Sequence, residues 1–354
     1  MVKSTLIFKT GGRGDDLMVY WAALAGVLAG VIAPQRLYFE NPNTRVLLAN
    51  INSHFTGIEL LDAEPKKNAL TYVRPDSRSP RVGFRQLIKI LRHRFKGHRD
   101  RNPYLRKYLS EYGGNFKIHW SLKLCLQLGL IYSWKEPYDD IYDGWEEICV
   151  GLGISYKEAK EKQSALSCAW KTIQEKIAPL SSSNRKNLPL MFPSGGSFQD
   201  FPDSFIAGIH KMDPSIKIVR YAHENQAADI YFQSYAEAKN LISEADYVIT
   251  NDSFASHLAQ FFSRKHVLIC TRSRPGNVCF PDAVRTHIVD LGKELDCRPC
   301  VYIPLTRANK CAAGFVRCEP LLETNNQANE KIRSALIWAQ DTSDRIKPLE
   351  NNVT

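Results

Sequence analysis

The chain has 354 residues, 44% of them hydrophobic and 24% charged, the make-up of a soluble globular protein, for which disorder is not the default. That length holds two domains of ordinary size. Its net charge of +10 with histidines neutral points toward anionic partners, namely nucleic acid, phospholipid, a phosphorylated glycan or a nucleotide.

Ser4-Thr5-Leu6-Ile7-Phe8 reads as a first buried strand. Lys9-Thr10-Gly11-Gly12-Arg13-Gly14-Asp15-Asp16 follows, and then an uncharged run from Leu17 to Ala33. At 17 residues the run sits at the lower edge of a membrane span. Lys3, Lys9 and Arg13 before it, with Val31-Ile32-Ala33 at its end, also give it parts of a signal peptide. Asp15 and Asp16 abut the run where a signal peptide wants positive charge, and its many Ala and Gly residues suit close packing on a sheet. The expectation is a buried helix.

The junction is glycine-rich without a standard nucleotide fingerprint. G-x-G-x-x-G would need glycine at 17, where Leu17 stands, and the P-loop G-x-x-x-x-G-K-S/T is absent. Two carboxylates stand at the helix start. Either both serve as capping or first-turn acids, or one caps while the other faces a cleft as a base.

Arg36–Phe39, Arg45–Ala49 and Ala69–Val73 are strand candidates, with Asn41-Pro42-Asn43 as a turn. Between Arg78 and Lys107 there are eleven Lys and Arg against one acid, Asp100, a surplus equal to the charge of the whole chain. Phe84, Leu87, Ile88, Leu91 and Phe95 share one helical face there, with Arg85, Lys89, Arg92 and Lys96 beside it. Such a helix reads as a membrane-surface element, a site for a phosphorylated acceptor, or a solvated surface helix. With no RNP, helix-turn-helix or zinc-finger pattern, nucleic acid is not expected.

Residues 115–180 read as mostly helical, and Leu180 to Asn187 is a Ser-rich linker. An α/β alternation then restarts. Leu188–Phe192 is a strand, Pro193-Ser194-Gly195-Gly196-Ser197 a small-residue turn, Phe201–Met212 a helix and Ile216–Arg220 a strand. Tyr235–Ala245 is a helix, Tyr247–Thr250 a strand, His266–Cys270 the next strand, Thr271–Asp282 a loop and Asn329–Gln340 an amphipathic helix. After Thr250 come the turn pair Asn251-Asp252, an N-cap at Asp252 or Ser253, and Phe254, Leu258, Phe261 and Phe262 at helical spacing. A strand feeding a helix start aims unpaired N–H groups at one spot, which suits a phosphate or a sugar hydroxyl. An ordinary capped βα unit explains the stretch equally well. The class is α/β: two Rossmann-like domains, 1–183 and 184–354, with parallel sheets facing a central cleft.

Of the nine cysteines, Cys125, Cys149, Cys168, Cys270 and Cys279 lie scattered, as reduced structural thiols do. Cys297-x-x-Cys300, Cys311 and Cys318 cluster. Four thiolates suit Zn, or Fe as a softer alternative, and the other reading is reduced thiols or a redox-sensitive disulfide. No His, Asp or Glu is interleaved, so a metal there would be structural.

Four places resemble the ADP-heptose:lipopolysaccharide heptosyltransferases of glycosyltransferase family 9, which have a GT-B fold. Lys9 to Leu17 is similar to the family's strand and loop ending in Gly-Asp. Phe192-Pro193-Ser194-Gly195-Gly196, with Phe201-Pro202 and Phe205, resembles its glycine turn and helix start. Asn251-Asp252-Ser253-Phe254-Ala255-Ser256-His257-Leu258-Ala259 resembles its Asp-Ser/Thr-Gly-x-x-His-Leu-x-Ala signature. Cys297-Arg298-Pro299-Cys300 with Cys311 and Cys318 is similar to a cysteine cluster in part of the family. Residues 35–185 match no motif.

The resemblance implies that Asp15 is the general base for an acceptor hydroxyl and that Asp252 contacts the donor sugar. It implies that Ser253, Phe254, Ala255 and Ser256 hold the diphosphate by backbone N–H groups, with His257 beside it. Glu224 would hold the ribose, Ser194, Gly195 and Gln199 would line the donor side, and Lys9, Arg13, Arg272 and Arg274 would face acceptor or phosphate. Two positions depart from the pattern. Gln199 stands for a family lysine, a lost phosphate-facing charge that Arg272 or Arg274 would replace. Phe254 stands for the signature glycine and crowds the donor site.

The expected reaction is one inverting displacement of a sugar, heptose from ADP-heptose, onto lipopolysaccharide core or a related surface glycan. Amide and guanidinium groups would take the developing charge, so no divalent metal is required. The expected partners are a nucleotide-sugar donor, an anionic lipid-linked glycan and, through residues 84–107, the inner face of the cytoplasmic membrane, with the protein cytoplasmic and peripheral. The alternatives are a non-catalytic GT-B protein that binds a glycan or nucleotide, and a basic membrane-surface or nucleic-acid binding protein.

Overall fold

The computed structural model describes residues 4–9, 13–65, 70–73, 99–101, 141–177, 188–194, 200–222, 226–271, 275–280, 283, 285–292 and 326–341. Among these residues the strands form two sheets, parallel throughout.

The first sheet contains β1 (Ser4–Lys9), β2 (Gln35–Phe39), β3 (Ile58–Leu60), β4 (Leu70–Val73) and β5 (Arg99–Arg101), in the order β3-β2-β1-β4-β5. β1 is central, with Leu6 opposite Leu37 on one side and Leu70 on the other. Both faces of such a strand are covered, which is why it reads as a continuous apolar run.

Parallel neighbours need a crossover, and α1 (Arg13–Leu28) supplies it between β1 and β2. Leu17 through Ala25 are all buried, as a helix hydrophobic all round must be. Its small residues permit close approach to α3 (Asp143–Leu152). A Cβ on Gly144 would sit 2.2 Å from the Met18 carbonyl oxygen, and one on Gly26 would sit 2.9 Å from the Trp145 ring. The uncharged run is thus a packed core helix, and among the described residues no helix is long and apolar enough to cross a membrane.

One expected strand is a helix. Arg45–Ala49 lies inside α2 (Pro42–Asn52). The Asn41 side chain accepts from the N–H groups of Asn43 and Thr44 at 3.0 and 3.4 Å, and Pro42 sits in the first turn, where no N–H is needed. Thr44, Leu47, Leu48 and Ile51 are buried at helical spacing while Val46 is 65% exposed. The supposed turn Asn41-Pro42-Asn43 is therefore a helix start. Helix α4 (Tyr156–Ile177) follows α3, as the helical reading of this region expects. Segment 84–96 and linker 180–187 lie outside the described residues.

The second sheet contains β6 (Leu190–Phe192), β7 (Lys217–Tyr221), β8 (Ile230–Phe232), β9 (Val248–Asn251), β10 (His266–Cys270) and β11 (Thr286–Asp290), in the order β11-β10-β9-β6-β7-β8. Counted within the sheet this is 3-2-1-4-5-6, the doubly wound order, whose topological switch lies between β6 and β9. The helices are α5 (Asp203–Met212), α6 (Tyr235–Glu244), α7 (Phe254–Phe262), the short α8 (Pro275–Val278) and α9 (Asn326–Gln340). The expected loop after β10 thus contains a turn of helix. Helix α9 is fastened to the sheet: Lys265 donates to the carbonyls of Trp338 and Asp341 at 2.9 and 2.6 Å.

Both halves share one core. Trp21 of α1 stacks on Phe261 of α7 with ring centroids 3.8 Å apart, and Phe261 meets Trp170 of α4 at 4.6 Å. Trp170 stacks on Phe280 in turn, and Tyr142 tilts over Phe280 at 4.5 Å. Gln174 donates to the Gln260 carbonyl at 2.7 Å in the same seam.

Candidate functional site between α1 and α7

In open α/β sheets, ligands bind beyond the carboxyl ends of the strands, at the switch point. Two turns meet there. One follows β6 and begins Pro193-Ser194; the other follows β9 and reads Asn251-Asp252-Ser253. Asn251, buried at the end of β9, donates from Nδ2 to the Pro193 carbonyl at 3.0 Å and ties the turns together.

Beyond the second turn α7 begins. Ser256 Oγ donates to the Ser253 carbonyl at 2.7 Å and accepts the Ser253 N–H at 3.3 Å. This reciprocal pair fixes the helix start. The N–H groups of Phe254 and Ala255 belong to the first turn, where helix geometry gives them no carbonyl of their own helix. The partial positive charge of the helix start favours an anion there.

Helix α1 delivers the other half of the site. Its first turn carries Asp15, half-buried, and Asp16, buried. Gly14 lies against α7. A Cβ at this position would come within 2.8 Å of His257 Cδ2, 3.2 Å of its Nε2 and 3.5 Å of Phe254 Cα. Glycine is required here because an imidazole edge occupies the space a side chain would take.

His257 is 4% exposed, with Nε2 3.9 Å from Asp252 Oδ1. Burial pushes its pKa below the ordinary histidine value, and the nearby carboxylates of Asp252 and Asp15 oppose the shift without reversing it. The ring is neutral at pH 7, one nitrogen protonated and the other an acceptor. Its Nδ1 is buried with no hydrogen-bond partner among the described residues. Behind it, His266 bridges strands, its Nε2 2.8 Å from Thr250 Oγ1 and its Nδ1 3.3 Å from Thr286 Oγ1. Burial first, and His257 second, push His266 down to about 3, so it is a neutral core residue.

The structure therefore brings Asp15, Asp252, Ser253, Phe254, Ala255, Ser256 and His257 to one place. The Phe254 ring packs on Tyr235 at the start of α6, centroids 4.5 Å apart. Ser194 lies on the β6 side of the switch. Lys9 and Arg13 are placed by their backbones, at the end of β1 and the start of α1. Glu224, Gly195, Gln199, Arg272, Arg274, Cys297, Cys300, Cys311 and Cys318 lie outside the described residues. Among the described residues no group of three or more His, Cys, Asp or Glu is placed to hold a metal.

Two residues escape sequence reasoning. Arg220, on β7, is 3% exposed and donates from Nη1 to Ser194 Oγ at 2.9 Å, setting a buried cation beside the first turn. Its signal is an arginine directly after the apolar pair Ile218-Val219 of the strand KIVRY. Asn277, on α8, reaches the start of α3, and nothing in its own neighbourhood of sequence announces that.

No family model matches the sequence, and a comparison with curated proteins finds no match. Solved structures do match. The iron-containing dodecameric glycosyltransferase TibC from enterotoxigenic E. coli superposes with a TM-score of 0.50 at 13% identity, over 95% of this chain and 78% of TibC. TibC in complex with ADP-D-β-D-heptose gives 0.51 at the same identity and coverage. The fold is GT-B. The E. coli ADP-heptose lps heptosyltransferase II is also similar, with a TM-score of 0.49, 14% identity and coverage of 96% of this chain and 100% of that one. In the GT-B frame the switch point of the second sheet and the start of α1 face each other, and the Gly14–His257 contact is where they touch.

Proposed function

We propose that this chain is an inverting glycosyltransferase that takes a sugar from a nucleotide-sugar donor. The observation that carries the reading is the meeting of α1 and α7: a half-buried Asp15 on one helix, and on the other a helix start with Asp252 and a neutral His257. The donor diphosphate sits on the N–H groups of Phe254 and Ala255, where the helix start opposes its negative charge. Asp252 holds the sugar, and Asp15, across from it, removes the acceptor hydroxyl proton as that oxygen attacks the anomeric carbon. The bond to the diphosphate breaks in the same step and the configuration inverts. Ser194, Gly195, Gln199 and Glu224 complete the donor side, with Arg272 and Arg274 on the diphosphate and Lys9 and Arg13 on a phosphate-bearing acceptor. Residues 1–183 form the acceptor domain and 184–354 the donor domain.

The donor we favour is ADP-heptose, supported by the resemblance of Asn251–Ala259 to the heptosyltransferase signature and by the fold shared with TibC, solved with ADP-D-β-D-heptose. The acceptor we favour is lipopolysaccharide core or a related lipid-linked glycan. The eleven Lys and Arg between Arg78 and Lys107 supply charge to hold an anionic membrane face, placing the enzyme on the inner leaflet. Cys297, Cys300, Cys311 and Cys318 form a thiolate set suited to structural Fe or Zn, and TibC is described as iron-containing. Less than about half a mole of either metal per chain in elemental analysis would leave plain thiols.

The deciding experiment is a thermal-shift screen with ADP-, UDP- and GDP-sugars, followed by a transfer assay with the stabilising donor. A donor-specific rise in Tm with transfer supports the reading. No rise with any donor sinks it, and a rise without transfer to any glycan leaves a binding protein on the same fold.

A further inference from the structure

The aromatic part of the contact between α1 and α7 is Trp21 on Phe261, with Trp170 of α4 behind it, and apolar contacts are non-directional. Stacked rings resist separation but permit sliding. Directional bonds must set the register: Gln174 supplies one from α4 to α7, and Asn277 supplies two more, from α8 to the start of α3. It is 9% exposed, and its Nδ2 donates to Asp143 Oδ1 at 2.9 Å and to the Ile141 carbonyl at 3.3 Å.

Both ends of this link are anchored. On one side, the Tyr142 N–H donates to Gln163 Oε1 at 2.8 Å and the Trp145 ring N–H to the Ala159 carbonyl at 2.9 Å, fixing the start of α3 on α4. Gly144 then seats α3 on the Met18 carbonyl of α1. On the other side, the Gln260 side chain, on α7, brackets α8, donating to the Val278 carbonyl at 2.9 Å and accepting the Phe280 N–H at 3.3 Å. A continuous path runs from the helix of Asp15 through α3, Asn277, α8 and Gln260 to α7, the helix that follows Asp252. Tyr142 lies close enough to Asp143, Glu147 and Asp252 for their charges to act on it.

We propose that Asn277 is a positioning residue that sets the register of α7 against α1, and with it the approach of acceptor to donor. The proposal rests on the transferase reading for its kinetic arm alone. Two measurements on the full-length chain test it. Hydrogen exchange reads the amides of 143–149, and steady-state transfer reads kcat and donor KM. Asn277→Ala speeds exchange of those amides about tenfold. Asn277→Asp keeps the volume and removes the donor, so it sets carboxylate against carboxylate and does more harm than alanine. Adding Asp143→Asn to Asn277→Asp restores a donor–acceptor pair and recovers protection. Transfer loses about tenfold or more in kcat while donor KM stays within about twofold, because the donor's contacts on α7 are untouched.

Unchanged exchange in Asn277→Ala overturns the proposal, as does an aspartate variant milder than alanine. So does a rise in donor KM with kcat intact, which would make the residue a donor contact. If the wild-type chain transfers no sugar, the transferase reading fails and the exchange comparison alone decides the role of Asn277.

Discussion

The Cδ2 edge of His257 lies 2.8 Å from where a Cβ on residue 14 would stand. Two residues 243 positions apart in sequence thus share one volume, and the glycine in the first turn of α1 is also the floor of the imidazole pocket. Gly14→Ala must displace the ring or the helix. Overpacking of this kind costs about 1–3 kcal/mol of stability, and on the transferase proposal the displaced His257 should also lower the rate of transfer. The measurement is a double-mutant cycle with His257→Ala, read by urea unfolding. In the alanine background the added methyl has room, so its cost should vanish. An undiminished cost there would mean that the glycine serves backbone conformation instead.

His266 gives the fold a pH dependence with a definite sign. Its folded pKa of about 3 lies below the ordinary value of 6.5. As pH falls through 6.5 the unfolded chain takes up a proton that the folded chain refuses until about 3. Stability therefore falls on acidification, by at most about 1.4 kcal/mol per pH unit for this one site. His257 adds to the loss in the same direction. Urea midpoints between pH 7 and pH 4 should show His266→Gln with a slope shallower than wild type by up to one proton. An identical slope would mean that the ring takes up its proton in the fold as it does in the unfolded chain.

What could be read from the sequence depended on how far each residue's meaning travels. The stretch from Val248 to Phe262 was legible because a β-branched run, a turn pair and helical spacing follow one another within it. The chemistry of α1 was legible because an uncharged Ala- and Gly-rich run has few places to go. By contrast, α2 was misread: five residues from Arg45 to Ala49 cannot separate period 2 from period 3.6, and the deciding signal was the Asn41-Pro42 start just upstream. Arg220 and Asn277 were opaque for another reason. Their partners lie 26 and 136 positions away, and nothing local records them. The resemblance of Asn251–Ala259 to a family signature singled out Asp252 and His257, but the burial that keeps the imidazole neutral belongs to the packing of α1.

One carboxylate ties the end of the closing helix to the second sheet's core. Asp213 accepts from Tyr247 Oη, from Ser215 Oγ at 2.5 Å and from Gln340 Nε2 at 2.8 Å. Burial pushes its pKa up, but the hydrogen bonds from Ser215, Tyr247 and Gln340 outweigh it and hold the carboxyl below the ordinary value. Its contribution is therefore present above the ordinary carboxylate range and fades as pH falls through the lowered pKa. Asp213→Ala leaves the Tyr247 hydroxyl without this acceptor and frees the end of α9, which should cost about 1–3 kcal/mol at pH 7. Hydrogen exchange should show the loss concentrated in residues 326–340. Loss spread evenly over both sheets would place the carboxylate's role elsewhere.

Asp15 carries the sharpest test, because removing its carboxylate leaves the neighbouring imidazole neutral as before. Asp15→Asn removes a charge that pulls the His257 pKa upward, so the ring, already neutral, stays neutral. The substitution therefore does not change the protonation of its neighbour at pH 7. It sits on α1, so the donor contacts proposed on α7 are untouched, and donor affinity by calorimetry should stay within about twofold. A positioned base contributes about 10²- to 10⁴-fold, and kcat should fall by that amount. A variant that binds donor weakly while keeping kcat would put Asp15 on the donor instead, and the acceptor proton would need another acceptor within reach of α1.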